Sequence, residues 1–391
     1  MVRRAGARRV TAATRPRVSV LCFDLADNAT GRAELLARLL LPRYDVTVLG
    51  PQFGPALWPP AANGPVRYRA LPGGRYPRFA ARLGALADLV DGDVIVASKP
   101  RATSFGIGLL ARRRRRRPLL LDIDDWEVGF FYRSGVAGRI GRFLNVANPN
   151  GLPWTWLMER LVGLADATTV ASRFLERRFG GVLVPHVRDT AAWDPARFDR
   201  AAARARLDVG AGAVVMFLGT PRGHKGVDDL VTAVHALGPD VTLALVGADL
   251  DGARAQRWRE LPFVRLVGAI PFDDVPRYLV AADVVAIPQR ATSDTLGQVP
   301  AKLFDAMALA RPIVSTAVSM IPEILGDCGV VVPPNDPVAL RVAIRGLLDD
   351  PGRAAALGRR ARERCQERYS FDSARATLFP LIDGLLARTR P

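Results

Sequence analysis

The stretch VVMFLGTPRGHKGVDDLVTAVHAL (214–237) decides the fold. It begins with a short apolar run that ends at Gly219, continues through a loop with Gly223 and Gly226, and passes into a helical pattern of apolar residues. Strands without polar alternation are typical of parallel sheets, because both faces of such sheets are buried. The stretch therefore predicts one strand–loop–helix unit of a parallel α/β sheet.

Apolar runs of the same kind recur along the chain from Arg17, each followed by a stretch rich in alanine, leucine and arginine. The first half has them at 17–23, 45–51, 93–99, 118–124, 167–172 and 182–186, and the second half at 214–219, 241–248, 264–270, 284–289, 312–316 and 329–334. Strands that alternate with helices are typical of doubly wound domains. The predicted fold class is α/β, with two tandem Rossmann-like domains and a cleft between them.

Polar segments and turn residues divide the chain into predicted parts. These are a basic flexible tail (1–16), an N-terminal Rossmann-like domain (17–187), a linker (188–210), a C-terminal Rossmann-like domain (211–368) and a closing helix (369–391). The tail lacks the apolar core of a secretory signal. The arginine run at 112–117 is predicted to be a solvated loop between a helix and a strand.

The composition is that of a globular chain, with 49% hydrophobic and 24% charged residues among 391. No uncharged apolar run reaches the roughly 18 residues of a transmembrane helix. Cys22, Cys328 and Cys365 are far apart and odd in number, so neither a disulfide framework nor a zinc site is predicted. A cytoplasmic location is expected, with possible peripheral contact at a membrane through the arginine-rich surface.

The formal net charge of +17 would suit nucleic acid, anionic lipid or phosphorylated substrates. Only Lys99, Lys225 and Lys302 among the 55 basic residues are lysines, and alanine is abundant. This skew indicates a bacterial-type composition bias, so nucleic acid is not a predicted partner. The three lysines stand out against that background and suggest sites that need a compact ammonium group.

Two motifs in the second half carry chemistry. Arg222 and Lys225 leave the glycine-containing loop after a strand, and together a planar guanidinium and an ammonium suit a diphosphate. Lys302 and Asp305 are three residues apart and share one helix face, where the carboxylate could accept hydrogen bonds from a ribose diol. An ordinary surface ion pair is the alternative interpretation of the second motif.

An aromatic segment, 126–161, interrupts the pattern of the first half. It holds three of the six tryptophans and mixes glycines and arginines with aromatic residues. Two interpretations stay open. One is a helical hairpin that packs on the first domain, and the other is an acceptor-binding or membrane-facing surface.

Together these motifs resemble the retaining glycosyltransferases of family 4, which have the GT-B fold. A G-x5-K-G pattern is met by Gly219, Lys225 and Gly226, VRLVGAI (264–270) matches the strand that serves the nucleotide base, and LFDAMALARPIV (303–314) matches a phrase of the form LFEAMA-x-G-x-PVV. The resemblance covers most of residues 210–391. The first half is more divergent but compatible, with Asp124 in a slot that is often histidine.

The resemblance implies transfer of a sugar, with retention, from a nucleoside diphosphate sugar of UDP or GDP type to an acceptor hydroxyl, without a metal or other cofactor. It implies that the second domain binds the donor, that the first binds an unknown acceptor, and that the closing helix crosses back to the first domain. Arg222, Lys225 and Asp124 are the expected catalytic residues. The expected donor-binding residues are Gly31, Gly219, Thr220, Gly268, Ile270, Gln298, Val299, Lys302 and Asp305. The expected acceptor-side residues are Asn28, Lys99, Arg101, Asp125 and Trp126.

The sequence departs from the family pattern at three positions. Thr220 stands where many members carry arginine, and Arg222 could replace it. Gly297 stands where the first acid of a paired motif is usual, so a contact to the donor sugar is missing. Asp305 is the second acid, where glutamate is usual.

Three rival interpretations remain. The pair Asp122 and Asp124 resembles the D-x-D element of phosphatases and of metal-dependent transferases, which would hold Mg²⁺ or Mn²⁺. A sugar-nucleotide epimerase on the same fold would share the nucleotide-binding residues. A catalytically silent nucleotide-sugar-binding subunit is made plausible by Gly297.

Overall fold

The structure is a computed structural model, which describes residues 15–133, 136–293 and 295–388. Residues 1–14 of the predicted flexible tail and the last three residues of the chain lie outside this range. The strands and helices of the described residues form two parallel α/β units, one after the other along the chain.

The first unit is a seven-stranded sheet in the order β3-β2-β1-β4-β5-β6-β7, and its strands pair in parallel. The strands are β1 (Arg17–Leu21), β2 (Asp45–Gln52), β3 (Arg67–Pro72), β4 (Val94–Ser98), β5 (Leu119–Ile123), β6 (Ala167–Val170) and β7 (Val182–Leu183). The helices are α1 (Thr30–Leu40), α2 (Leu83–Leu89), α3 (Ile107–Arg115), α4 (Val136–Leu144), α5 (Leu152–Arg160) and α6 (Arg173–Phe179).

The second unit is a six-stranded parallel sheet in the order β10-β9-β8-β11-β12-β13. Helix α7 (Arg200–Arg206) precedes it. Its strands are β8 (Ala213–Leu218), β9 (Val241–Val246), β10 (Val264–Val267), β11 (Val284–Ile287), β12 (Ile313–Thr316) and β13 (Val330–Val332). The helices are α8 (Val227–His235), α9 (Ala253–Arg259), α10 (Val275–Leu279), α11 (Lys302–Ala308), α12 (Ile321–Leu325), α13 (Pro337–Leu348), α14 (Pro351–Arg368) and α15 (Phe371–Ala387).

All twelve predicted strands are present, and the predicted class with two Rossmann-like parallel sheets is confirmed. The central strands are buried on both faces, as their continuous apolar sequences require. Strand β3 was not predicted, because it lies at the sheet edge and its sequence RYRALP alternates without a continuous apolar run.

The arginine run at 112–117 is not a loop throughout. Arg112, Arg113, Arg114 and Arg115 form the last turn of α3, and only the end of the run leaves the helix, at Arg116 with its left-handed backbone. Basic residues suit this position, because the carboxyl end of a helix carries partial negative charge.

The aromatic segment contains helices α4 and α5, which pack together, so the predicted helical hairpin is present. The indole N–H of Trp154 on α5 donates to the carbonyl of Val146 just after α4, at 2.8 Å. Among the described residues, no helix has both the length and the apolar character needed to cross a bilayer.

Helix α15 packs against α1 of the first unit. The Tyr44 hydroxyl donates to Asp383 Oδ1 at 2.7 Å, and Arg375 Nε donates to the Leu39 carbonyl at 3.1 Å. Helix α15 is therefore fastened to the first unit. The residue boundaries given above for the domains and linker stay predictions.

Candidate active site

A cavity of about 550 Å³ lies between the two sheets, at the carboxyl ends of their strands. Parallel α/β folds bind ligands at this edge, since the loops that leave the strands meet there. The cavity brings together thirteen of the residues predicted from sequence: Asn28, Gly31, Lys99, Asp124, Asp125, Gly219, Thr220, Lys225, Ile270, Gln298, Val299, Lys302 and Asp305.

The loop after β8 depends on glycine at two positions. Gly219 has a φ of 103° and Gly226 a φ of 63°, both in the left-handed region that glycine adopts without strain. A Cβ at Gly226 would lie 1.8 Å from the Pro288 carbonyl oxygen. The G-x5-K-G pattern thus holds the backbone in a tight turn that places Lys225 at the cavity.

Lys225 and Lys302 supply the positive charge on the second domain's side of the cavity. Burial and the neighbouring Arg222 lower the pKa of Lys225 to about 8. Burial and the charge of Lys225 lower the pKa of Lys302 well below its usual value, although Asp305 opposes this. Within the described residues neither ammonium forms an ion pair, and Lys302 Nζ lies 3.6 Å from the centre of the Phe217 ring. Two partly desolvated amino groups at one cavity, with no ion-pair partner among the described residues, suit an anionic ligand that would favour their charged forms.

Asp305 does not form the surface ion pair with Lys302 that was the alternative interpretation. Both residues are buried, and the Asp305 carboxylate pairs instead with the guanidinium of Arg188. Burial raises the pKa of Asp305, and Arg188 offsets part of that rise. Arg188 also donates to the Ala301 carbonyl at 3.2 Å, and so fixes the first turn of α11.

Lys99 is the centre of a buried charge cluster on the first domain's side. Its Nζ lies 2.8 Å from Asp124 Oδ1, 2.7 Å from Asp125 Oδ2 and 2.8 Å from Glu127 Oε1. Burial raises the pKa of Asp124 to about 6, although the charge of Lys99 opposes the rise. Asp125 Oδ1 accepts a hydrogen bond from Gln298 Nε2 at 3.3 Å, which joins this cluster to the second domain.

The carboxylates of Asp122 and Asp124, the two acids of the D-x-D element, have different partners. Asp122 accepts two hydrogen bonds of 2.8 Å from Arg32 and one of 2.7 Å from Thr169, while Asp124 turns to Lys99. The acidic group whose oxygens converge among the described residues is Asp124, Asp125 and Glu127. The rival interpretation, which places a metal on Asp122 and Asp124, has no support from this geometry.

Arg222 and Gly268 do not line the cavity, and their expected catalytic and donor-binding roles stay predictions. Arg222 is exposed, because it precedes the short 3₁₀ turn Gly223–Lys225 at the rim, and only its charge reaches Lys225. Gly268 faces Leu250, and the neighbouring Ile270 lines the cavity instead.

Arg101 and Trp126 also lie away from the cavity. The Arg101 guanidinium is buried against Glu127, with donor distances of 2.8 Å to Glu127 Oε2 and 2.8 Å to Thr155 Oγ1. Trp126 packs on Phe174, with ring centres 5.6 Å apart, and beneath Arg178. Neither residue faces the cavity, and their expected role on the acceptor side stays a prediction.

Gly297 lies close to two aromatic residues of the first domain. A Cβ there would lie 3.0 Å from the Phe174 ring and 3.2 Å from Trp126 Cβ, and the Gly297 carbonyl accepts a hydrogen bond from Ser172 Oγ at 3.0 Å. The aromatic residues of the first domain thus occupy the space that an acidic side chain at this position would need.

Sequence reasoning missed several polar residues of the cavity, above all His186, Arg188 and Arg32. His186 follows β7, and burial together with the charges of Arg32 and Arg188 lowers its pKa well below its usual value, so its imidazole is neutral. Arg188 stood at the start of the segment interpreted as linker, His186 at the end of a predicted strand, and Arg32 in an arginine-rich helical stretch. Two signs of these residues were present in the sequence, namely the lone histidine itself and the apolar residues around it in VPHVRD.

Two Rossmann-like sheets that face each other across a cation-lined cavity define the GT-B class of fold. Comparison with known proteins agrees with this assignment. Residues 212–350 match the family described as Glycosyl transferases group 1. The chain has the GT-B fold and resembles GT4-type glycosyltransferases, as its motifs predicted.

Two relatives illustrate the similarity. A GDP-mannose-dependent alpha-(1-6)-phosphatidylinositol monomannoside mannosyltransferase of Mycolicibacterium smegmatis is 29% identical, over 71% of this chain and 73% of that protein. A D-inositol 3-phosphate glycosyltransferase of Kineococcus radiotolerans is 33% identical, over 50% of each chain. The chain thus spans about half the length of the second relative.

Solved structures share the fold over nearly the whole chain. Sucrose-phosphate synthase of Thermosynechococcus elongatus has a TM-score of 0.71 at 20% identity, covering 96% of this chain and 100% of that one. Anabaena HepE in complex with UDP and glucose has a TM-score of 0.72 at 18% identity, covering 94% and 99%. At such identities the likeness shows the fold alone.

Proposed function

We propose that this protein transfers a sugar, with retention and without a metal, from a UDP or GDP sugar to an acceptor hydroxyl. The observation that carries the proposal is the pair of unpaired ammonium groups, Lys225 and Lys302, at one cavity between the domains. One relative uses GDP-mannose and one solved structure of the same fold binds UDP, which supports the donor class.

The departing nucleoside diphosphate develops negative charge as the glycosidic bond breaks, and fixed cations stabilise that charge. Lys225 is largely protonated at neutral pH, since its pKa is about 8. A bound diphosphate raises the pKa of both lysines, because a nearby anion favours the charged form. The two ammonium groups therefore become fully charged when the donor is bound.

In this proposal Asp305 receives the ribose diol, since it lines the cavity from the first turns of α11 and its carboxylate pairs with Arg188. Asp124 lines the opposite wall, where the sugar and acceptor would lie. Its pKa of about 6 makes it a carboxylate close to its titration point, suited to hydrogen bonding with a hydroxyl group. Retention rests on the family resemblance, and NMR of the product's anomeric linkage tests it.

The first experiment measures melting temperature with UDP, GDP, dTDP and ADP and their common sugar conjugates, since a ligand that binds only the native state raises the melting point. Lys225→Ala should abolish the shift and lower transfer by about two orders of magnitude or more, comparable to the loss of a transition-state donor. Arg222→Ala compares the exposed cation of the same loop, which lies outside the cavity and should cost less. Transfer and a melting shift in Lys225→Ala that equal those of the unchanged chain contradict the proposed diphosphate site.

A second candidate function is nucleotide-sugar binding without catalysis. The packing of Phe174 and Trp126 against Gly297 favours it, because these residues crowd the position from which the usual acidic contact to the sugar would come. Protein that binds a sugar nucleotide but neither transfers nor hydrolyses the sugar would support this candidate. Conversion of the sugar without any acceptor would instead support an epimerase.

Peripheral membrane contact through the α4–α5 hairpin is part of the proposal. Residues 128–158 contain arginines but no Asp or Glu, and Phe143, Leu144 and Val146 are exposed beside them. Apolar residues beside cations suit the surface of an anionic bilayer. Sedimentation with phosphatidylglycerol vesicles should fall in a Phe143→Ser/Leu144→Ser variant. It should stay unchanged in Val338→Ser/Val342→Ser, which alters exposed apolar residues of α13.

A further inference from the structure

Lys99 sits where three carboxylates converge. One oxygen each from Asp124, Asp125 and Glu127 lies within 4.8 Å of the other two, a spacing that would suit a metal ion. Lys99 Nζ approaches all three at 2.7 to 2.8 Å. We propose that the Lys99 ammonium is a built-in replacement for a divalent cation, and that removing this side chain converts the cluster into a binding site for Mn²⁺ or Mg²⁺.

The contacts themselves are those of a cation among carboxylates. Asp124 Oδ1 and Glu127 Oε1 are buried and have no partner with hydrogen-bond geometry, so they face the ammonium chiefly as opposite charges. Only Asp125 accepts a well-formed hydrogen bond from Nζ, at 2.7 Å. Carboxylate oxygens that surround a small positive charge are also what hard divalent ions select.

The strained backbone at Lys99 indicates that the lysine side chain is required at this position. Its φ is 71°, a left-handed conformation that costs a lysine energy and that glycine adopts freely. The conformation is fixed by the Lys99 N–H donating to the Asp122 carbonyl at 2.7 Å and by Ser104 Oγ donating to the Lys99 carbonyl at 2.8 Å. One of only three lysines in the chain occupies this strained position.

An arginine would not serve in its place. The ammonium is a compact point charge that three oxygens can approach from different sides, whereas a guanidinium is a planar fork that pairs with one or two carboxylates. Arg101 shows the difference within the same cluster, because it takes the other oxygen of Glu127 and reaches neither aspartate. Lys99 and Arg101 together leave the cluster with one net negative charge.

The cluster lies at the cavity, since Lys99, Asp124 and Asp125 line it. A fixed ammonium there allows the carboxylates to stay close together without an exchangeable ion. The charge and geometry of the cluster do not depend on the proposed sugar transfer.

The test uses the full chain with MnCl₂ as the probe. Lys99→Ala removes both the charge and the side chain, and we expect it to bind one Mn²⁺ per chain, measured by electron paramagnetic resonance and by a rise in melting temperature with MnCl₂. Lys99→Met is the matched control, because it removes the charge but fills the space. Adding Asp125→Asn to Lys99→Ala should abolish the new site. The proposal is overturned if Lys99→Ala binds no more Mn²⁺ than Lys99→Met.

A measurement on the unchanged chain covers the case in which Lys99→Ala does not fold. Labelling with ¹⁵N-lysine gives signals from three lysines, and the Lys99 ammonium should be protected from exchange and still charged at about pH 10, near the usual lysine pKa. A neutral or rapidly exchanging Lys99 amine at that pH would equally overturn the proposal.

Discussion

Arg188 and Asp305 form a buried ion pair that joins the segment between the domains to the helix that carries the proposed ribose-binding carboxylate. Arg188 is also held by the junction between α14 and α15, since its N–H donates to the Tyr369 carbonyl and its carbonyl accepts from the Phe371 N–H, each at 2.9 Å. The orientation of Asp305 therefore depends on the junction between α14 and α15 as well as on α11.

Arg188→Met should weaken nucleotide binding in a pH-dependent way. Without the guanidinium, burial raises the pKa of Asp305 further, so the carboxyl group is protonated at neutral pH and regains its charge only as the pH rises. The UDP or GDP affinity of the variant, measured by calorimetry and divided by that of the unchanged chain at the same pH, should therefore be low at about pH 6.5 and recover toward about pH 9. Arg188→Lys should restore part of the affinity at neutral pH.

The loss of stability in Arg188→Met should grow as the pH rises, whereas the loss of nucleotide affinity should shrink. Removing one partner of a buried pair costs about 3–5 kcal/mol. A carboxyl pKa that is raised on folding gives stability at low pH that is lost as the pH rises through the folded-state pKa, so the deficit should be smaller at acidic than at neutral pH. Urea unfolding at several pH values measures it. Arg362→Met is the control, since Arg362 braces the same segments through the Trp193 and Thr190 carbonyls. Matching pH profiles of the two variants would contradict this role.

Diphosphate binding should weaken as the pH rises through about 8, the pKa of Lys225. Burial and the charge of Arg222 lower this pKa, so the ammonium that would grip the diphosphate loses its proton earlier than an exposed lysine does. In Lys225→Arg this decline should disappear, because the guanidinium stays charged throughout. Titration of UDP or GDP at increasing pH measures the effect, and an unchanged decline in Lys225→Arg would assign it to another group.

The sequence was sufficient for the fold because continuous apolar runs are a direct consequence of burial on both faces of a parallel sheet. The sequence did not predict β3, because this exposed edge strand has no continuous apolar run. The strand ends also located much of the cavity, because loops that leave parallel strands meet at one edge.

Side-chain direction could not be predicted in the same way. Arg222 and Lys225 stand on one loop and are equivalent in sequence, but only Lys225 lines the cavity, since a 3₁₀ turn separates them. Arg188 was hidden because its partner, Asp305, lies far away in the chain. The convergence of three carboxylates on Lys99 likewise depends on a turn after β5 that no periodicity indicates.

Gly226→Ala should be far more damaging than Gly238→Ala. Both glycines have a positive φ, but a Cβ at Gly226 would lie 1.8 Å from the Pro288 carbonyl oxygen, whereas nothing lies within 4 Å at Gly238. The Gly238 variant should lose about 1–2 kcal/mol from backbone strain alone. The Gly226 variant should fail to fold or lose nucleotide binding. Circular dichroism and thermal unfolding measure both, and equal losses would show that the close approach to Pro288 is relaxed at little cost.

Gly297→Ala tests whether the first domain's aromatic residues fill the place of an acidic side chain. The added Cβ meets Phe174 at 3.0 Å and Trp126 at 3.2 Å, so the overpacking should cost about 1–3 kcal/mol in the free energy of unfolding. Phe174→Leu should relieve part of that cost when combined with Gly297→Ala. The difference between the double variant and the sum of the single variants gives the coupling energy between the two positions. Gly163→Ala is the matched control, because a Cβ there has no neighbour within 4 Å. Additive losses in the double variant would mean that Phe174 does not restrict this position, and that an acid could be introduced at 297 without moving the aromatic residues.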